Sequence, residues 1–184
     1  MNSLEYTQAA KRTLSLKFEM QLVNPTLLHS VIGLVTEANE LFDSNTKTNF
    51  VEEIGDVTWY LAIAFDCLGV NMGDTKDIPI IRYNSSDDAV QRLSVSSAEL
   101  LDLLKKSIFY GKELDLEDVV MRLNGINAIA QALMTIHFIN REAVYLVNIA
   151  KLEKRFEEKK FTSEAALNRD LEGELKVLEQ GAAA

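Results

Sequence analysis

Two stretches of this chain set carboxylates three residues apart inside otherwise apolar runs of helical pattern. Glu37 and Glu40 sit in GLVTEANELFD; Glu53 and Asp56 sit in VEEIGDVTWYLA. A three-residue step turns a helix by roughly 300°, so each pair projects from one face. Two such helices either turn their acids to water or bring them face to face. Four carboxylates that face each other repel unless a cation lies between them, and burying them without one costs on the order of several kcal/mol per ion. A solvated acidic face is the plainer alternative. Against it stand the apolar neighbours of Glu37 and Glu40 and the almost uncharged run VTWYLAIAF that follows Asp56. Hard oxygen ligands of this kind suit Mg²⁺ or Mn²⁺, ions that commonly act on phosphates.

The flanking residues extend the same faces. His29, Gly33, Glu37 and Glu40 follow i, i+4, i+8, i+11 spacing, and Gly33 on that face would let a helix or a ligand approach closely. Leu27, Leu34, Val35 and Leu41 supply packing around the rest of that helix. Glu53, Asp56 and Tyr60 form a second stripe, with Trp59 and Phe65 nearby.

With 2 prolines and 8 glycines, breakers are few and helical periodicity dominates, so the fold class expected is all-α. Helices are expected near 3–22, 25–43, 48–69, 88–107, 115–137, 139–159 and 163–179. Pro25 suits a first turn, and Thr162 or Ser163 an N-cap. Residues 70–87 read as a partly extended linker. Length suits one domain with a sizeable core. That domain divides into a half at 1–69 bearing the acidic motifs, the linker, and a second half at 88–180. The halves align. TEANELFD followed by VEEIGDVTWYLAIA matches SSAELLDLLKK followed by VMRLNGINAIAQAL. Laying Glu40 on Glu99 and Asp43 on Asp102 sets Ser96 opposite Glu37; laying Val51 on Val120 sets Arg122 opposite Glu53 and Gly125 opposite Asp56. Any two amphipathic helical hairpins could align this well. If the repeat is real, the second copy has lost three of the four ligands.

The formal net charge of −9 argues against broad nucleic-acid binding, which needs a basic footprint. A nucleotide is still compatible, given metal and local cations. Lys105, Lys106 and Lys112 in LLKKSIFYGK, and Lys151 and Arg155, which share a helix face with Asn148 at i, i+3, i+7 in VNIAKLEKRF, are the candidates for a phosphate tail. Lys and Arg at such spacings also form ordinary solvated faces. Asn148, Tyr60 and His29 are candidates near a sugar or base. His137 reads as a satisfied, partly buried histidine, and Tyr145 and Phe156 as core. Cys67, the single cysteine, cannot form an internal disulfide and reads as an inert buried thiol. There is no Gly-rich phosphate loop, no Cys-x-x-Cys pair and no His cluster for zinc. The start lacks the continuous apolar core of a signal peptide, no apolar run reads as a membrane span, and a cytoplasmic location, of a cell or an infected host, is expected.

Glu-x-x-Glu, a turn, then Glu-x-x-Asp resembles the signature of the MazG-like all-α nucleoside triphosphate pyrophosphohydrolases, which include dimeric dUTPase-like and dCTPase-like enzymes. LLHSVIGLVTEANEL is similar to the family's His-containing approach to the first motif. NIAKLEKRFEEKKFTSEAALNRDLEGELKVLE is similar to the C-terminal segment of phage and bacterial members. KKSIFYGKELDLEDV resembles their turn between motifs, but here it falls in the second half, as though an intact unit were fused to a degenerate one. The resemblance implies a bundle around a four-helix core made from two related halves. It implies Mg²⁺ held by Glu37, Glu40, Glu53 and Asp56, and cleavage between the α- and β-phosphates to a monophosphate and pyrophosphate. It favours Lys151 and Arg155 as phosphate ligands and allows a homodimer. A related hydrolase acting on another nucleotide, or a regulatory protein that binds nucleotide or metal without turnover, are the alternatives.

Overall fold

The computed structural model describes residues 1–73, 78–156 and 158–182. Among them every regular element is helical: α1 (Ser3–Ala10), α2 (Pro25–Asp43), α3 (Lys47–Cys67), α4 (Ser86–Tyr110), α5 (Leu116–Ile136), α6 (Arg141–Arg155), α7 (Ser163–Leu167) and α8 (Leu171–Ala182). The all-α class expected from the sequence is what the chain adopts. Residues 74–77 of the expected linker lie outside the described residues.

Side-chain caps fix the starts of the long helices. Asn24 accepts from the Thr26 N–H ahead of Pro25, Thr46 from Asn49, Ser85 from Asp88, and Asp115 from Glu117 and Asp118. The short turn between α2 and α3 makes them an antiparallel hairpin, and α4 with α5 makes another. α2 packs on α4 and α3 on α5, closing a four-helix unit around one apolar core that includes Leu34, Ile54, Leu61, Leu93, Leu123 and Leu133. α6 and α8 then pack on α3 and on each other, over a small cluster of Val51, Val147 and Leu178.

Many core positions of the two hairpins coincide in the sequence alignment, although buried Gly33 and Gly55 fall on exposed Arg92 and Asn124. The register that lays Glu40 on Glu99 lays Ser30, Val31, Leu34, Ala38 and Leu41 on Ala89, Val90, Leu93, Ser97 and Leu100, and all ten are buried. The register that lays Val51 on Val120 lays Phe50, Ile54, Val57, Thr58, Leu61, Ala64 and Phe65 on Val119, Leu123, Ile126, Asn127, Ala130, Leu133 and Met134, again all buried.

Three expectations are corrected. The first helix stops at Ala10 and no residue of it is buried, so no packed face holds a longer one. Instead Ser15 Oγ donates to the Phe109 carbonyl (2.5 Å) and the Glu19 N–H to the Ile108 carbonyl (2.7 Å), satisfying groups at the end of α4. The helix expected at 163–179 is broken at Asn168–Asp170. There Asp170 accepts from the Gly173 N–H at 3.0 Å and starts α8 afresh. Finally, α5 is long and apolar enough to cross a membrane by length and composition; with 56% of its most apolar window buried, it fills the place of a core helix.

Candidate metal centre and its cleft

The α2–α3 hairpin turns its acidic stripes toward each other. Glu37 and Glu40 come from α2 and Glu53 from α3, and one ligand oxygen of each lies within 4.8 Å of the others. These three residues could hold a cation. Burial first, and then the charges of Glu52, Glu40, Asp56 and Glu37, push the Glu53 carboxyl up to about 8. Burial, Asp56 and Glu40 push Glu37 up to about 7. The cluster is therefore short of positive charge.

Asp56 is turned differently. Its Oδ1 accepts from Asn148 Nδ2 at 2.7 Å and its Oδ2 pairs with Lys151 Nζ at 2.5 Å. Lys151, fully buried, also stands 3.4 Å from Glu52. Lys151, expected at a ligand's phosphates, and Asn148, expected near its sugar or base, both bind Asp56 instead. A buried ammonium without a carboxylate would be costly, which is why it pairs with Asp56. Gly55 permits this approach: a Cβ there would lie 3.1 Å from Asn148 Nδ2.

The cluster forms one wall of a cleft of about 880 Å³. Glu37, Glu40, Glu52, Glu53 and Asp56 line the acidic side. Arg155, Lys159, Lys160 and Arg169, from the end of α6 and the segment beyond it, also line the cleft, with Lys159 paired to Glu153 and Arg169 3.6 Å from Glu52. Trp59, Tyr60, Phe156 and Phe161 supply aromatic surface, and His29 stands at the edge, its ring 5.7 Å from that of Tyr60. Burial and the neighbouring Glu37 raise the Tyr60 phenol above its usual range, so it stays a hydrogen-bond donor.

Of the residues singled out from sequence, Glu37, Glu40, Glu53, Asp56, His29, Tyr60 and Arg155 share this cleft, with Asn148 and Lys151 behind it. Lys105, Lys106 and Lys112 do not line it. Lys105 and Lys106 pair with Asp102 on their own helix, and Lys112 is exposed past the end of α4. Phe156, expected in the core, is half-buried in the cleft against Phe161. His137 is satisfied, 2.7 Å from Ser86 Oγ and stacked on Phe50. In the second hairpin Arg122 pairs with Asp118 and Glu99, and no other group of three metal-ligating side chains occurs among the described residues.

Sequence reasoning missed Arg169, Lys159, Lys160 and Phe161. The legible signal for Arg169 was the Asn-x-Asp step at 168–170, where Asp170 is an N-cap residue type. No protein-family model matches the chain, and neither a curated protein nor a solved structure matches it.

Proposed function

We propose that this chain is a MazG-like nucleoside triphosphate pyrophosphohydrolase, releasing a nucleoside monophosphate and pyrophosphate. The observation that carries the reading is a cleft lined both by a carboxylate cluster and by two arginines and two lysines. Such a cleft suits a ligand that is anionic along its length and reaches the acids through a cation. The coincident burial of the two hairpins supports an internal duplication, one copy keeping its carboxylates and the other serving as scaffold. On this reading both hairpins of the four-helix unit belong to one chain, so a second copy is not needed to complete the site.

Glu37, Glu40 and Glu53 would hold Mg²⁺ or Mn²⁺, which supplies charge neutralisation and Lewis acidity toward phosphate and water. Asn148 and Lys151 hold Asp56 at the edge of that cluster, keeping the fourth carboxylate oriented. Glu52, in the same wall, joins these groups as an acceptor for the proton of an attacking water. Arg155 and Arg169, which line the cleft, would take the leaving phosphates, and Trp59 and Tyr60 would stack on a base.

The test is incubation of the protein with each common NTP and dNTP, with and without Mg²⁺, followed by product separation. Metal-dependent appearance of monophosphate and pyrophosphate is the expected result. Release of orthophosphate would place the cut at another bond and overturn the reading.

A further inference from the structure

One carboxylate in α8 has no place in that chemistry yet is tied to it. Glu174 is 1% exposed and does not line the cleft. Arg155 donates to it through Nε at 3.0 Å and Nη2 at 2.7 Å. Arg169 donates through Nη2 at 2.5 Å and through Nε at 3.2 and 3.4 Å. Burial works to raise the Glu174 carboxyl, but the two guanidinium groups outweigh it and bring it down to about 2. Leu178, one turn further along α8, docks the helix against Val51 and Val147.

Glu174 thus holds two guanidinium groups side by side, and both arginines line the cleft. The Nη1 groups of both arginines make no hydrogen bond among the described residues, although each guanidinium carries five N–H donors in a fixed fork. Arg169 also stands 3.6 Å from Glu52 on the acidic wall, so without Glu174 its nearest carboxylate is one of the reaction wall.

We propose that Glu174 is a positioning residue that sets Arg155 and Arg169 side by side as a receptor for the terminal phosphates of a polyphosphate. The proposal rests on the pyrophosphohydrolase reading and adds to it the part of the substrate that this end of the cleft takes. Arg169 enters the site only because the chain breaks before α8 and Glu174 draws its side chain back. α8 thereby reaches the cleft without lining it.

The experiment is calorimetry of the full chain with inorganic tripolyphosphate at fixed Mg²⁺, and with Mg²⁺ alone. Arg169→Ala and Glu174→Gln should each weaken tripolyphosphate binding about tenfold. Mg²⁺ binding should stay as in the parent, which a general loss of structure would not allow. Arg169→Lys should recover only part of the loss, because an ammonium lacks the fork. With nucleotide, Glu174→Gln should raise KM more than it lowers kcat. Parent-like tripolyphosphate binding in a folded Glu174→Gln overturns the positioning role. Parent-like binding in Arg169→Ala overturns the receptor, whether or not Glu174→Gln folds. A parent that binds tripolyphosphate through these arginines but turns over no nucleotide keeps the receptor and removes the pyrophosphohydrolase reading.

Discussion

The ring of Tyr60 rests on the backbone of Gly33: a Cβ at position 33 would fall 2.3 Å from two of its ring carbons. The contact joins α2 to α3 between His29 and the carboxylate cluster, so it fixes both the spacing of the hairpin and the aromatic edge of the cleft. Gly33→Ala must displace the ring. It should lower stability by about 1–3 kcal/mol, the usual cost of overpacking, and lower kcat/KM for nucleotide. Chemical denaturation and steady-state kinetics on the one variant check both. Tyr60→Ala in the same background should recover the stability but not the activity.

Glu37 and Glu53 tie stability to pH and metal. Each has an ordinary value of 4.5 and titrates near 7 and near 8 in the folded chain. Between those values the folded state binds more protons than the unfolded one. The stabilisation they contribute is complete below pH 4.5 and is lost as pH rises through 7 and 8. In chelator, Tm should therefore fall by several degrees from pH 5 to pH 8.5. Mg²⁺ should restore it at the upper end, and its binding at pH 7 should release protons, seen as an enthalpy that varies with the buffer.

Glu53→Gln separates chemistry from stability. It removes one of the three clustered ligands and also one of the charges that repel each other. Turnover should drop by more than about 100-fold, the loss that even outer-shell partners of metal sites can produce. In the absence of divalent ions at pH 8, the variant should melt at or above the parent. A scanning melt beside an end-point assay measures both.

Lys151→Ala leaves Asp56 with Asn148 alone and deprives Glu52 of its buried partner. A loss of about 3 kcal/mol is expected, as for breaking other buried pairs from one side. Lys105→Ala and Lys106→Ala, which free only Asp102 on the surface, should leave melting and kcat/KM as in the parent. Measured together, the three variants distinguish the lysine that shapes the site from the two that do not.

Sequence reasoning located α2 to α5 because their apolar periodicity is strong and their caps are explicit. It found Glu37, Glu40, Glu53 and Asp56 for the same reason: a three-residue step inside an apolar helix has few readings. Cations were harder. Periodicity assigns a residue to a helix face but says nothing about which segment folds back over which wall. Lys105 and Arg169 look alike as isolated charges; only the break at Asn168–Asp170 and the burial of Glu174 bring Arg169 to the cleft. Lys151 was on the expected helix, but what it neutralises depended on Gly55 letting α6 come close to α3. The first helix failed on tertiary grounds, since the end of α4 competes for the hydrogen bonds of residues 15–19.

Because α2 packs on α4 and α3 on α5 within one polypeptide, the two hairpins meet at an effective concentration set by their tether and not by the amount of protein present. Dilution cannot separate them. In a symmetric pair of identical hairpins every substitution would appear twice, once on each side of the core. Here a change on the outer face of α4 or α5 appears once, away from the carboxylates. The second hairpin is thus at liberty to drift wherever it meets water, while the register that fills the core holds its buried positions fixed.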